Sequence, residues 1–181
     1  YRGRLRLWGV ERPFMCTESG RRSDAGQRVD GVPGSDDEQS NYVIRLFAQA
    51  AHLELVNALW FNLTDIVETK QDGPAGWGLL SQTLKPKPSY VAYASLTREL
   101  AGMLYQGQTA VNDEAVLEGY DFADARRRTT VIWARSGAHS TGFRAAQVTV
   151  VSVDGKETIV RDGGGGDADG KTDGIVTVTV T

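Results

Sequence analysis

Arg12-Pro13-Phe14-Met15-Cys16-Thr17-Glu18-Ser19-Gly20 is the stretch on which the fold turns. Pro13 to Thr17 is a short, mostly apolar run with the length of a buried strand. Glu18 follows directly, and a glycine-rich loop runs from Gly20 to Ser35. In parallel α/β folds, functional groups collect at the C-terminal ends of strands. On spacing alone two readings of Glu18 stand side by side. It is a surface glutamate at the start of a loop, or a carboxylate held at a strand end, where it can serve as nucleophile or proton carrier.

Working outward, Arg4 to Gly9 reads as the end of a helix with Gly9 as its stop, and Trp8 is expected to pack that helix. After the loop, Ser35 and Glu38 have capping-box spacing. Val43, Leu46, Phe47, Ala50 and Ala51 then recur at helical spacing as one apolar stripe. Leu55 to Leu63, with Val56, Leu59, Trp60 and Phe61, reads as a second buried strand. A Gly- and Pro-rich loop runs from Thr64 to Pro88. Pro88 suits the first turn of a helix from about Ser89 to Leu100, with Gly102 as its stop. Strand, helix, strand, helix implies parallel strands covered by helices.

From Leu104 the texture changes. Val116 to Phe122, Thr129 to Ala134, Gln147 to Val153, Glu157 to Val160 and Gly174 to Val180 read as strands, with a hairpin turn at Val153-Asp154-Gly155-Lys156. Trp133 is expected in the core of this half. The predicted organisation is an α/β segment over 1–103 and a small antiparallel β-domain over 104–181.

Composition narrows the function classes. The chain has 181 residues and a formal net charge of -3, which argues against a nucleic-acid partner bound by bulk electrostatics. No stretch of about 18 apolar residues occurs, so no transmembrane helix is expected. Cys16 is the only cysteine, which rules out an intrachain disulfide and a thiolate zinc site. It is expected to be a small core residue. His52 and His139 are too isolated to suggest a metal site. Asp167, Asp169 and Asp173 lack the spacing of an EF-hand loop and read as a solvated hairpin. No cofactor or metal is expected.

The opening stretch is similar to the seventh barrel strand of clan A glycoside hydrolases, which are (β/α)8 barrels with a Pro, several apolar residues, Thr-Glu and then Gly at this place. Leu59-Trp60-Phe61 resembles the eighth strand. Gly76-Trp77-Gly78-Leu79-Leu80, then Lys87-Pro88-Ser89-Tyr90 and Ala92-Tyr93, resemble the segment leading into the last barrel helix. The likeness runs from about Tyr1 to Gly102, and an appended β-sandwich is common in that family. The resemblance implies the C-terminal portion of a barrel, strands seven and eight with their helices, followed by a small antiparallel β-sandwich. It implies a retaining hydrolase of a β-linked glycoside with Glu18 as nucleophile. It places Trp60, Trp77 and Asp65 at the substrate, a carbohydrate, and suggests an extracytoplasmic home.

A retaining glycosidase needs two carboxylates about 5–5.5 Å apart. In the family the acid/base Glu follows an Asn on the fourth strand, and this chain contains no Asn-Glu dipeptide. Asp65, Glu68 and Asp72 are substitutes that their spacing does not recommend. The chain is therefore expected to be a fragment that needs the upstream barrel, or a covering protein partner, over its exposed strand edges. The alternative is a non-catalytic structural or accessory subunit derived from such a barrel. A third reading makes the β half a carbohydrate-binding module through Tyr120, Phe122 and Trp133.

Overall fold

The computed structural model describes residues 2–24, 28–29, 31–69, 73–111 and 115–181, with the backbone alone at 2, 28, 29, 67–69 and 73–75. Asp72 and the Glu68 side chain therefore lie outside the described residues. Helix α1 (Arg2–Leu7) leads into β1 (Met15–Ser19). The short strands β2 (Arg28–Val29) and β3 (Val32–Pro33) follow, then helix α2 (Asp36–His52). Strand β4 (Asn57–Trp60), the β5 (Ile66–Thr69) and β6 (Gly73–Ala75) hairpin, and helix α3 (Pro88–Leu100) complete the first half.

Both main helices start as their caps dictate. The Ser35 hydroxyl accepts the Glu38 N–H at 3.1 Å, and Asp36, Asp37 and Glu38 place negative charge at the positive end of α2. Pro88 occupies the first turn of α3, where its missing N–H costs nothing. Gly102 takes φ +74° just past the end of α3, as a helix stop requires.

Strands β1 and β4 pair in parallel, with Met15 opposite Asn57 and Cys16 opposite Ala58. Strand β1 begins and ends about two residues later than the apolar run suggests. The expectation that it is buried does not hold: Met15 is 50% exposed. Among the described residues β4 is its only strand neighbour, so its other edge and one face stay open. Leu59 and Leu63 are likewise exposed. Trp8, expected to pack α1, is instead 82% exposed. The chain turns out of the helix through bonds from Trp8 and Val10 N–H to Leu5 O, which carries the indole away from the described residues. Cys16 is half-buried rather than a core residue.

The second half holds β7 (Leu104–Gln108), β8 (Leu117–Ala123), β9 (Arg128–Ala134), β10 (His139–Arg144), β11 (Gln147–Val151), β12 (Glu157–Arg161) and β13 (Ile175–Val180). They form antiparallel sheets ordered β7-β8-β9, β10-β13 and β11-β12. The β7-β8-β9 sheet is covered on both faces. Tyr120, Phe122, Val131 and Trp133 face the helices and pack with Ala48 and Leu96. Leu117, Ala134 and Ile132 face the other way and pack with Val160, Val176, Val178 and Val180. Burial of Tyr120, Phe122 and Trp133 in the core removes the rings on which a carbohydrate-binding module would rest.

Strands β2, β3, β5 and β6 lie in stretches read as loops, and in this half two more strands escaped the sequence pattern, β7 and β10, the latter opened by His139. Both are polar and carry a glycine. At Gly142 a Cβ would lie 2.7 Å from the Ile175 side chain, so the residue that weakens the strand pattern is the one the pairing needs. No helix among the described residues is long and apolar enough to cross a membrane.

Candidate functional site

Glu18 lies on β1 one residue before its C-terminal end, and Trp60 ends β4 beside it. The Phe61 N–H donates to Ser19 O at 2.7 Å, so pairing continues up to the point where both chains leave the sheet. Gly20 makes this close approach possible. A Cβ there would sit 2.3 Å from Phe61 O and 3.3 Å from Trp77 Cε3. Glu18, Ser19, Gly20, Phe61 and Trp77 line an open hollow of about 700 Å³, within the range of small-molecule sites. Glu18 is exposed to it.

The loop carrying Trp77 is fixed by its backbone. Gly76 N–H donates to Asp24 Oδ2 at 2.8 Å. Gly76 O accepts from Ser23 N–H at 2.9 Å, Gln39 Nε2 at 2.8 Å and Lys87 Nζ at 3.2 Å. Gly78 N–H donates to Asp65 Oδ1 at 2.8 Å. The Trp60 indole N–H donates to Trp77 O at 3.1 Å. A side chain at Gly76 would meet Ser23 Oγ and Asp24 Oδ2 at under 3 Å, which accounts for glycine there. The Trp77 ring meets Phe61 edge-on at 6.1 Å between centroids. The Arg22 guanidinium stands 6.0 Å from its centre and is paired with Asp24 at 2.9 Å.

The site residues expected from the sequence are thus brought together, with different tasks. Glu18 and Trp77 both face the hollow. The Trp60 ring instead lies 6.0 Å from that of Tyr42 on α2, and Phe61 takes the place in the wall. Asp65 is held by the Lys87 ammonium at 3.1 Å and by Gly78 N–H, a nearly enclosed ion pair at the base of the Trp77 loop. Glu18 is the one carboxylate lining the hollow among the described residues. Among the described residues no group of three His, Cys, Asp or Glu side chains is arranged to hold a metal.

Sequence reasoning missed the residues that bind the two strand ends to α2. Gln39 is fully buried; its amide reaches Arg21 O at 2.7 Å as well as Gly76 O. The Tyr42 and Ser19 hydroxyls share a hydrogen bond of 2.9 Å. A signal existed: Gln39 stands four residues before Val43, a polar group in phase with the apolar stripe.

No family model and no curated protein matches the chain. A solved structure does match, described as a family 39 glycoside hydrolase from the gut symbiont Bacteroides cellulosilyticus WH2. It aligns with 99% of this chain at a TM-score of 0.69 and 18% sequence identity. The chain spans 34% of the length of that protein. At this identity the likeness is one of fold.

Proposed function

We propose that this chain is the nucleophile-bearing C-terminal part of a retaining glycosidase that cleaves a β-linked glycoside. In this reading β1 and β4 are strands seven and eight of a (β/α)8 barrel, and residues 104–181 form an appended β-sandwich. The observation that carries the proposal is the placement of Glu18 at the C-terminal end of a parallel strand, in one hollow with Trp77 and Phe61. The fold likeness to a glycoside hydrolase supports it.

The chemistry is a double displacement. A Glu18 carboxylate oxygen attacks the anomeric carbon as the bond to the leaving oxygen breaks, and an acid/base carboxyl supplied from outside this chain protonates that oxygen. The same group then takes a proton from water, which attacks the anomeric carbon and releases Glu18 as carboxylate, with configuration retained. Trp77 offers its ring to the apolar face of the sugar. Trp60 and Asp65 hold the Trp77 loop, through Trp77 O and Gly78 N–H. The rest of the barrel covers the open edges beside Met15 and Leu59.

The test is Glu18→Gln in the complete polypeptide, assayed on aryl β-glycosides. Turnover is expected to fall at least ~10³-fold, about 4 kcal/mol of barrier, with the melting temperature unchanged. Undiminished turnover refutes the assignment. A second reading, a non-catalytic accessory subunit, is favoured by Glu18 being the one carboxylate on the hollow among the described residues. It is separated from the first by whether the complete polypeptide turns over any aryl β-glycoside.

A further inference from the structure

We propose that Gln39 is a positioning residue that sets the spacing between Glu18 and Trp77, an inference that rests on the glycosidase reading above. The two groups belong to different segments, Glu18 to the end of β1 and Trp77 to the loop after the β5–β6 hairpin. Gln39 joins them. Its single amide nitrogen donates one N–H to Arg21 O, three residues past Glu18, at 2.7 Å. It donates the other to Gly76 O, next to Trp77, at 2.8 Å. The two N–H directions of a planar amide are fixed relative to each other, so the two carbonyls are located together rather than one at a time.

The amide itself cannot turn. Arg21 O and Gly76 O can only accept, so the NH2 end must face the loops, and the Oε1 accepts the Ser89 hydroxyl of α3 at 2.8 Å on the other side. Both N–H groups and the carbonyl oxygen are engaged, and the side chain has no exposure to water. Two further ties act in the same direction. Tyr42, one turn along α2, holds Ser19 through its hydroxyl, and Arg21 donates to Val32 O and Pro33 O and lies 3.9 Å from Glu38. Gly76 O keeps Ser23 and Lys87 as donors without Gln39, whereas among the described residues Arg21 O accepts from Gln39. Loss of the amide therefore releases the Glu18 side of the bridge more than the Trp77 side. A misplacement of about 1 Å at a reacting group can lower a rate ~10²-fold.

The experiment is covalent trapping in the complete polypeptide with the 2,4-dinitrophenyl 2-deoxy-2-fluoro-β-glycosides of glucose, xylose and galactose. A Glu18 oxygen forms the bond to C1 while the C1–aryloxy bond breaks, and dinitrophenolate leaves with the bonding electrons. Peptide mass mapping locates the label, and its time course separates the inactivation rate constant from the half-saturating concentration. Gln39→Glu keeps the shape and replaces both donors by acceptors. Ser89→Ala keeps Gln39 and removes the hydroxyl that anchors its Oε1, a change mild enough to fold. Leu96→Ala, in the helix–sheet core, is the control for lowered stability alone.

In wild type, label on Glu18 is expected with at least one probe. Gln39→Glu should lower the inactivation rate constant about ten- to hundredfold with little change in half-saturation, Ser89→Ala should lower it by a smaller factor, and Leu96→Ala should leave it unchanged. Wild-type rate constants in both Gln39→Glu and Ser89→Ala, beside labelled Glu18 in wild type, overturn this inference and leave the glycosidase reading standing. Should Gln39→Glu fail to fold, Ser89→Ala decides. No label on Glu18 in wild type with any probe overturns the reading and the inference together.

Discussion

Gly20→Ala should separate the ends of β1 and β4. The added Cβ would stand 2.3 Å from Phe61 O, short of ordinary contact by roughly 1 Å. The obstacle is backbone, so no rotamer change relieves it. The Ser19–Phe61 hydrogen bond at 2.7 Å holds the two chains together at that point, and Trp77 Cε3 at 3.3 Å blocks escape to the other side. Overpacking of this kind costs about 1–3 kcal/mol, and loss of the adjoining hydrogen bond adds about 1 kcal/mol. At ~2–4 °C per kcal/mol for a unit of this size, the melting temperature should fall roughly 5–15 °C. Differential scanning calorimetry would read it, with Gly165→Ala as the control, since a Cβ at Gly165 meets nothing within 4 Å. A Gly20→Ala protein that melts within about 1 °C of that control, where surface changes normally fall, would refute the steric argument and the closeness of the strand ends.

Glu118 links the sheet to α2. Burial pushes its carboxyl up, but hydrogen bonds from Gln49 and Tyr120 and the charges of Arg135 and Arg45 outweigh it and leave it below the ordinary 4.5. Its stabilising contribution is complete above that ordinary value and is lost as pH falls through the depressed one. Urea midpoints of wild type should therefore drop more steeply below about pH 5 than those of Glu118→Gln, and parallel pH curves would count against the pairing. A chain ending at residue 103 uncovers Phe47, Ala48, Ala51, Leu96 and Leu100. It should lose its cooperative melt by circular dichroism, and a sharp transition would show the helices need no sheet.

The elements with a strong period or cap were legible. Ser35 and Glu38 mark the start of α2, Pro88 marks α3, and the alternation in residues 175–180 marks β13. Strands β7 and β10 were not, because each carries a glycine that breaks the strand pattern: Gly107 takes φ +144° at the irregularity in the β7–β8 register, and Gly142 leaves room for the Ile175 side chain. Burial was the weaker inference. The run around Met15 and the indole of Trp8 are apolar yet exposed, since burial depends on neighbours that sequence pattern does not name. Within the site, Glu18 and Trp77 were legible through strand-end position and motif. Gln39, Tyr42 and Asp24 act through backbone carbonyls, amides and hydroxyls that come near only once the chain is folded, and such contacts leave little trace in spacing.

Helix α2 explains why the two halves of the chain depend on each other. Gln39 and Tyr42 point to the ends of β1 and β4, whereas Ile44, Phe47, Ala48 and Ala51 belong to the cluster shared with β8 and β9. One rigid element therefore carries both the bridge at the hollow and the contact with the second half. Its position along its own axis is fixed by polar contacts that apolar packing alone would not specify. Gln49 donates to Glu118 at 2.9 Å, Arg45 stands 5.9 Å from the centre of the Trp133 ring, and His52 meets the Tyr105 hydroxyl at 2.8 Å. A slip of one residue would shift the helix by about 1.5 Å, more than the Gln39 bonds of 2.7 and 2.8 Å could follow. The β strands after residue 104 thus act on the hollow without touching it, by fixing the register of the helix that holds its two sides together.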